Sequence, residues 1–133
     1  MSECIFCKII EGKIPSYTVY EDEMVIAFLD INPAAIGHTL VIPRKHSENI
    51  YDIDRESLNE IMKTAQKIAN HYKTTLNCTN VQLIHSAGRH AQQEVMHFHL
   101  HIVPRFENDL INLKFAVSEK AKNFEEILAK IKM

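Results

Sequence analysis

The stretch of this 133-residue chain best suited to chemistry contains three histidines that alternate with apolar residues. They lie in the run His97-Phe98-His99-Leu100-His101-Ile102-Val103. Because successive side chains of a β-strand point to opposite faces, the run predicts a strand with Phe98, Leu100 and Ile102 in a core. The three imidazoles then share the other face, where they can supply a nucleophile, an acid–base group or metal ligands. We therefore predict that this strand carries the functional site.

Two kinds of reaction suit these histidines, and the residues alone leave both open. In the first, a nitrogen of the central His99 attacks phosphorus while its other nitrogen keeps a proton in a fixed hydrogen bond. His97 and His101 would then hold phosphate oxygens and help the leaving group to depart. In the second, the histidines ligate a catalytic zinc ion, and a metal-bound hydroxide attacks instead.

A Cys-x-x-Cys pair near the start of the chain suggests a metal site. Cys4 and Cys7 have the spacing at which two thiolates chelate one ion, although a redox pair or two buried thiols also fit the spacing. A tetrahedral structural zinc would need two more ligands. Histidines are the natural supply, and the spacing leaves six candidates open: His38, His46, His71, His85, His90 and His97.

The composition is that of an ordinary globular protein. The length suits one domain with its own core, and the formal charge of −2 without a basic run argues against nucleic-acid binding. The N-terminal residues lack the pattern of a signal peptide, and no apolar run is long enough to span a membrane. Three cysteines do not form a secreted disulfide framework, so we expect a cytoplasmic protein.

The hydrophobic pattern predicts an α+β fold with an antiparallel five-stranded sheet. One long helix over about 54–76, capped by Asp54 and Ser57, would pack on the sheet. A short N-terminal helix over 4–10 and a C-terminal amphipathic helix over 118–133 complete the prediction. The predicted strands cover 17–21, 24–30, 38–43, 81–85 and 97–103.

Several segments in register resemble the histidine triad (HIT) superfamily of nucleotide hydrolases and transferases. Besides the triad, they are 4–10 with Ile14-Pro15, 28–33, 37–46, Gln93-Glu94-Val95 and Pro104-Arg105. The most similar branch is the Hint-like one, in particular its bacterial-type members with a Cys-x-x-Cys opening. The resemblance implies a single HIT domain over 1–133, with a core over 4–105 and a C-terminal extension over 106–133.

The resemblance implies a role for each histidine of the site. His99 would be the nucleophile that becomes nucleotidylated, and His101 would contact the α-phosphate and assist the chemistry. A structural zinc ion (Zn²⁺) would be bound by Cys4, Cys7, His46 and His97. The resemblance thus selects His46 and His97 from the six candidate histidines.

The implied activity is hydrolysis of purine nucleoside 5′-phosphoramidates, typically of AMP, by a homodimer and through a covalent nucleotidyl-histidine. Asp30 would bind the ribose hydroxyls, and Gln93 and Val95 would reach the phosphate, in part through backbone N–H groups. The implied nucleotide-binding residues are Ile5, Phe6, Ile9, Phe28, Asp30, Ile31, Ser86, Gln93, Glu94, Val95, His99 and His101. The alternatives are cleavage of dinucleoside polyphosphates, as in the Fhit-like branch, and a nucleotide-binding adaptor with weak catalysis.

Three residues depart from the Hint-like pattern near the implied site. Ser86 stands where an asparagine is usual, and Gln92 stands in place of a glycine. Glu94 stands where many members have a serine near the leaving group. A carboxylate there would repel an acidic leaving group or act on a basic one, so substrate preference is open.

Overall fold

The computed structural model describes residues 3–133, so the first two residues of the predicted domain lie outside the described part. The structure contains the five strands and three α-helices that the sequence predicts, and short 3₁₀ turns at Arg89–Ala91 and Glu119–Lys122. In chain order the elements are α1 (Ile5–Ile10), β1 (Thr18–Glu21), β2 (Val25–Leu29), β3 (Thr39–Pro43), α2 (Arg55–Thr75), β4 (Val81–Ile84), β5 (Leu100–Pro104) and α3 (Phe124–Ile131).

The five strands form one antiparallel sheet in the order β1-β2-β3-β5-β4. β5 therefore lies between β3 and β4, and His101 is opposite Leu40 on one side and Ile84 on the other. This arrangement confirms the predicted α+β class with its antiparallel sheet. It also places the last histidine of the triad inside the sheet, where both neighbouring strands fix its position.

The two faces of the sheet carry different hydrophobic clusters. On one face, α2 packs through Ile61, Ala65, Ile68 and Tyr72 against the inward residues of β2, β3 and β5. On the other face a smaller cluster joins α1 to β2 and β3. The members of this second cluster are Phe6, Ile26, Phe28, Leu40 and Ile42, with Ile9 and Val95 packed against them.

Helix α2 begins and ends close to where the periodicity predicts. Asp54 is its N-cap, and the Asp54 carboxylate accepts a hydrogen bond from the backbone N–H of Ser57 at 3.1 Å. This bond satisfies one of the free N–H groups of the first turn. Not every apolar position of the periodic stripe is buried, because the side chain of Met62 is 45% exposed.

The histidine strand is shorter than the alternation predicts. β5 begins at Leu100, whereas His97, Phe98 and His99 precede it. The physical reason is that the backbone N–H of Phe98 donates to the carbonyl oxygen of Ser47 at 2.7 Å, outside the strand ladder. The alternation of faces persists nevertheless, since Phe98 belongs to the α2 cluster while His99 contacts α1 through Phe6.

The C-terminal segment is attached to the sheet at its start and exposed beyond it. Arg105 is held by Asp109 through two hydrogen bonds of 2.8 and 3.0 Å, and it also contacts Gln82 of β4. The predicted helix over 118–133 is shorter in the structure, as α3, and Phe124 and Leu128 on its apolar stripe are exposed.

Among the helices of residues 3–133, none combines the length and the apolar character that crossing a membrane requires.

Substitutions at two adjacent residues of α2, one buried and one exposed, should change the free energy of unfolding by very different amounts. Ile61 is fully buried, so Ile61→Ala should lower the free energy of unfolding by about 2–5 kcal/mol, because it removes buried methyl groups and leaves a cavity. Met62→Ala, one residue further and exposed, is the matched control and should change it by less than about 1 kcal/mol. Equilibrium urea unfolding measures both values, and equal losses would contradict this packing.

Candidate active site and metal cluster

The histidines lie on the α1 face of the sheet, near the start of β5. His97 is fully buried and His99 is 7% exposed, so neither stands on an open surface. The ring of Phe6 from α1 packs edge-on against both, with centroid distances of 5.9 Å to His97 and 5.3 Å to His99. The sequence therefore predicts the shared face correctly, but α1 covers much of that face.

The proton position on His99 is set by a backbone group. Nδ1 of His99 lies 2.8 Å from the carbonyl oxygen of His97, and a carbonyl oxygen only accepts hydrogen bonds. Nδ1 must therefore carry the proton, which leaves the lone pair of the neutral ring on Nε2. Burial lowers the pKa of His99 and favours this neutral form. His99 thus has the tautomer that nucleophilic attack through Nε2 requires.

A second chain of hydrogen bonds fixes His101. The backbone N–H of Ala34 donates to Nδ1 of His38 at 2.9 Å, so the proton of His38 is on Nε2. That Nε2–H donates to Nδ1 of His101 at 2.9 Å, and the proton of a neutral His101 is therefore on Nε2. Burial is the main cause that lowers the pKa of His101 to about 4. His101 therefore presents an N–H donor, whereas His99 presents a lone pair.

His38 is the site residue whose role the sequence reasoning missed, since it was considered only as a candidate zinc ligand. Strand alternation could have indicated this role. His38 is two residues before Leu40, which is opposite His101, so the three side chains lie on the same face of the sheet. Gly37 just before it has φ +83°, and a Cβ there would lie 2.5 Å from a methyl group of Leu76. The backbone that presents His38 to His101 thus requires glycine.

Asp30 adds a carboxylate to this pair. It follows β2 directly, and its Oδ2 lies 3.6 Å from Nε2 of His38. Its charge acts to raise the pKa of His38, His99 and His101, against the larger effect of burial. The structure therefore brings the predicted ribose ligand to the histidine site, and its binding role stays a prediction.

The predicted metal ligands converge in a separate cluster. Nδ1 of His97 lies 3.4 Å from Sγ of Cys4 and 3.6 Å from Sγ of Cys7. Nδ1 of His46 lies 3.4 Å from Sγ of Cys7 and 3.1 Å from Nδ1 of His97. Tetrahedral ligands at the usual zinc distances, about 2.3 Å to sulfur and about 2.0 Å to nitrogen, are roughly 3.3–3.8 Å apart. The spacing of these donors therefore fits one zinc ion.

The surroundings of the cluster also suit a metal. Nε2 of His97 donates to the carbonyl oxygen of Pro43 at 2.9 Å, which directs a lone pair on Nδ1 towards the cysteines. Burial lowers the pKa of His97 to about 4 and keeps it neutral, as a ligand must be. Burial and the adjacent Cys4 raise the pKa of Cys7 to about 11, so its thiolate would need a bound cation.

The three triad histidines do not form one ligand set. His97 directs its two nitrogens to Pro43 and the cysteines, and Nδ1 of His99 is taken by the carbonyl of His97. Within residues 3–133, the groups whose ligand atoms converge are the Cys4-Cys7-His46-His97 cluster and the Asp30-His38-His101 group. This geometry disfavours a catalytic zinc held by the triad.

The remaining candidate histidines lie elsewhere. His85 is structural, since its Nδ1 donates to the carbonyl of His99 at 3.0 Å and its ring stacks on Phe98 at 4.2 Å. His71 on α2 and His90 in the loop after β4 are exposed, and neither joins the cluster.

Five of the implied nucleotide-binding residues form a partly open apolar shelf: Ile5, Phe6, Ile9, Phe28 and Ile31. Phe6 and Phe28 are buried and pack edge-to-face at 5.5 Å, and Ile9 packs against them. Ile5 and Ile31 are exposed at the rim, by 46% and 78%. Large exposed apolar side chains beside a buried aromatic pair are typical of a surface that a ligand or a partner covers.

The loop between β4 and the triad is held by Gln93. Its buried side-chain oxygen accepts from the backbone N–H of Gly88 at 2.8 Å, and its amide donates to the carbonyls of Glu48 and Val95 at 2.7 and 3.0 Å. Its backbone N–H donates to the carbonyl of Gly88 as well. Gln93 thus shapes the loop, and the prediction that it reaches a phosphate stays a prediction.

The neighbours of Gln93 are better placed to meet a ligand. Among residues 3–133, the backbone N–H groups of Glu94 and Val95 find no hydrogen-bond partner. Val95 packs against the second cluster, next to Phe6. Ser86, at the start of the loop, is half-buried, and Glu94 is exposed.

Comparison with known proteins identifies the family and the fold. Residues 11–108 match the HIT domain family. A crystal structure of a HIT family protein from Bacillus anthracis has a TM-score of 0.88 and 41% identity, and the match covers 97% of this chain and 92% of that one. A Zn-bound histidine triad protein from Mycobacterium smegmatis has a TM-score of 0.80 and 33% identity over 90% of this chain and 87% of its own.

A curated relative carries a specific activity in its name. The adenosine 5′-monophosphoramidase of Saccharomyces cerevisiae is 43% identical over 102 residues, which are 77% of this chain and 62% of the yeast protein. The family match, these identities and the shared fold agree with the histidine geometry described above. The chain belongs to the HIT family.

Proposed function

We propose that the protein hydrolyses purine nucleoside 5′-phosphoramidates through a covalent nucleotidyl intermediate on His99. The observation that carries this proposal is the hydrogen bond from Nδ1 of His99 to the carbonyl of His97, which leaves Nε2 as the free nucleophile. The name of the yeast relative, an adenosine 5′-monophosphoramidase, supports this substrate class. The Cys-x-x-Cys opening and the name of that relative support membership of the Hint-like branch.

The chemistry proceeds in two displacements at phosphorus. The lone pair on Nε2 of His99 forms a bond to phosphorus, and the P–N bond of a substrate protonated on its bridging nitrogen breaks, so that a neutral amine leaves. Water then attacks phosphorus, the bond to Nε2 breaks, the nucleoside monophosphate is released and a proton of the water passes to solvent. His99 returns to its neutral tautomer.

Neighbouring groups stabilise the phosphoryl oxygens during both steps. The Nε2–H of His101 donates to one oxygen, and the free backbone N–H groups of Glu94 and Val95 are suited to another. Such donors are effective because they are fixed before the reaction and stand in a partly dry site. The nucleoside is bound by the apolar shelf of α1 and β2, with Asp30 on the ribose.

The Cys4-Cys7-His46-His97 cluster binds a structural zinc ion in this proposal. The tetrahedral spacing of the donors supports it, as does the Zn-bound relative from Mycobacterium smegmatis. Cys4 and Cys7 at α1, His46 after β3 and His97 before β5 would hold the ion, which would tie these segments together and supply no chemistry to the reaction. Such a site requires reduced thiols, which agrees with a protein that works in the cytoplasm.

The protein works as a homodimer in this proposal, as a single HIT domain with its core over 4–105 and an extension over 106–133. The support is that β4 is an edge strand with exposed Val81 and Leu83, a surface that natural sheets usually cover. A second copy of the chain would extend the sheet at this edge.

The first prediction concerns the nucleophile. Rapid mixing with adenosine 5′-phosphoramidate should produce a transient mass increase of one adenylyl group, and His99→Ala should abolish the adduct and lower kcat by at least about a thousandfold. His90→Ala, an exposed histidine outside the site, is the matched control and should retain both. Intact-protein mass spectrometry and steady-state kinetics read the outcome.

Either of two results would count against this mechanism. An adduct that persists in His99→Ala would place the nucleophile elsewhere. Nucleotide binding by the wild type without any turnover would favour the alternative of a binding module.

The second prediction concerns the metal. His46→Ala removes one ligand and leaves His99 and His101 intact, so zinc affinity should fall at least about tenfold and the Tm should fall with it. The kcat of the folded, saturated variant should stay within a few-fold of the wild type. Atomic spectrometry, chelator titration and thermal unfolding provide the readouts, with His71→Ala as the control. Loss of kcat in proportion to zinc in a protein that stays folded would indicate a catalytic metal instead.

A further inference from the structure

His85 makes three contacts at the start of the histidine strand, and the proposed reaction uses none of them. Its Nδ1 lies 3.0 Å from the carbonyl oxygen of His99, and its Nε2 lies 3.1 Å from the backbone nitrogen of Ile50. Its ring stacks on that of Phe98, with the centroids 4.2 Å apart and the planes 21° from parallel. These contacts hold the half-buried imidazole on three sides.

The two hydrogen bonds of this ring require the same tautomer. The backbone N–H of Ile50 can only donate, so Nε2 of His85 is the acceptor and carries the lone pair. The carbonyl oxygen of His99 can only accept, so Nδ1 of His85 carries the proton. One neutral ring therefore satisfies both partners and bridges two separate backbone segments.

The bond to His99 lies just beyond the last strand pair. The pairing of β4 with β5 ends at Ile84 and His101, and β5 itself begins at Leu100. His99 therefore precedes the strand, and its carbonyl oxygen accepts from the side chain of the residue that follows β4. The ring of His85 thus continues the attachment of this chain segment to β4 where the ladder stops.

The segment that follows β3 is part of the same junction. The backbone N–H of Phe98 donates to the carbonyl oxygen of Ser47 at 2.7 Å, and Ile50, which donates to His85, is three residues further along the chain. This segment therefore fixes the residue before the nucleophile and also the ring that bonds to the nucleophile's carbonyl. The stacking of His85 on the buried ring of Phe98 completes the connection.

The place of the reacting nitrogen follows from the backbone of His99. Its ring is bonded through Nδ1 to the carbonyl of His97, and it packs against Phe6 at a centroid distance of 5.3 Å. With the ring so confined, a shift of the backbone moves Nε2 with it. Reacting atoms must approach to about 3–3.5 Å, and a displacement of about 1 Å can lower a rate about a hundredfold.

We propose that His85 is a positioning residue, which holds the nucleophilic His99 in place through a hydrogen bond to its backbone carbonyl. This inference rests on the proposed function, because it concerns the nucleophile of that reaction. His85 exchanges no proton with the substrate and forms no covalent bond. Its Nδ1–H stays in the bond to the carbonyl through both displacements.

Three variants separate the three contacts of His85. In His85→Asn the amide nitrogen takes the place of Nδ1, since both follow Cγ directly, so the bond to His99 is kept. In His85→Gln the amide oxygen takes the place of Nε2, since both follow Cδ, so the bond to Ile50 is kept. His85→Phe keeps the ring that stacks on Phe98 and loses both hydrogen bonds.

The kcat for adenosine 5′-phosphoramidate should follow the bond to His99. We expect it to fall about ten- to a hundredfold in His85→Gln and His85→Phe, and to stay within about fivefold of the wild type in His85→Asn. KM should change less than about threefold in all three, because His85 does not contact the substrate. Urea unfolding gives the folded fraction of each variant, and kcat is compared per folded molecule. His71→Phe, at an exposed histidine of α2, is the matched control and should leave kcat unchanged.

A second readout is independent of turnover. Labelling histidine with ¹³C at the carbonyl and leucine with ¹⁵N gives a single correlation, because the pair His99-Leu100 is the one His-Leu step in the sequence. The ¹³C shift of the His99 carbonyl reports its hydrogen bond, so it should move in His85→Gln and His85→Phe and stay near the wild-type value in His85→Asn. A wild type without turnover would refute the proposed function, whereas this shift would still decide whether His85 holds His99.

Three outcomes overturn the positioning role. The first is a carbonyl shift that His85→Phe leaves unchanged, because the bond would then not exist. The second is a wild-type kcat per folded molecule in His85→Phe although the carbonyl shift has moved. The third is a variant that keeps the wild-type carbonyl shift and yet loses as much kcat as His85→Phe.

Discussion

Hydrogen bonds between the backbone and imidazole rings are the constraint on which this site depends. A neutral histidine is a donor at one nitrogen and an acceptor at the other, and only a fixed partner decides which is which. In this chain the carbonyl of His97 fixes the proton of His99 on Nδ1. The N–H of Ala34 fixes the proton of His38 on Nε2 and, through that ring, the proton of His101 on Nε2. Opposite roles for His99 and His101 follow from these backbone groups.

The alternating histidines therefore divide between two tasks. His97 turns towards the cysteines and ties β5 to α1, while its carbonyl orients His99. One residue thus links the metal cluster to the nucleophile without sharing a ligand with it. If the cluster binds zinc as proposed, loss of the ion would reach His99 only through the position of the His97 backbone.

Much of this organisation follows from local patterns in the sequence. Alternation places His99 opposite the α2 cluster, and the spacing of Cys4 and Cys7 predicts a chelating pair, because both depend on neighbours along the chain. The role of His38 does not follow, since it requires knowledge that β3 and β5 are adjacent, a contact 63 residues apart. The buried hydrogen bonds of Gln93 could not be predicted from the sequence for the same reason, because some of its partners belong to distant segments.

The tautomers of the histidine rings are the most direct test of this account, and two-dimensional ¹H–¹⁵N NMR of the imidazole nitrogens reports them. At neutral pH we expect His99 with its proton on Nδ1 and His38 and His101 with theirs on Nε2, each assigned by single substitution. His101 should titrate near pH 4, well below the usual value of about 6.5. A proton on Nε2 of His99, or a charged His99 at neutral pH, would contradict the assignment of His99 as the nucleophile.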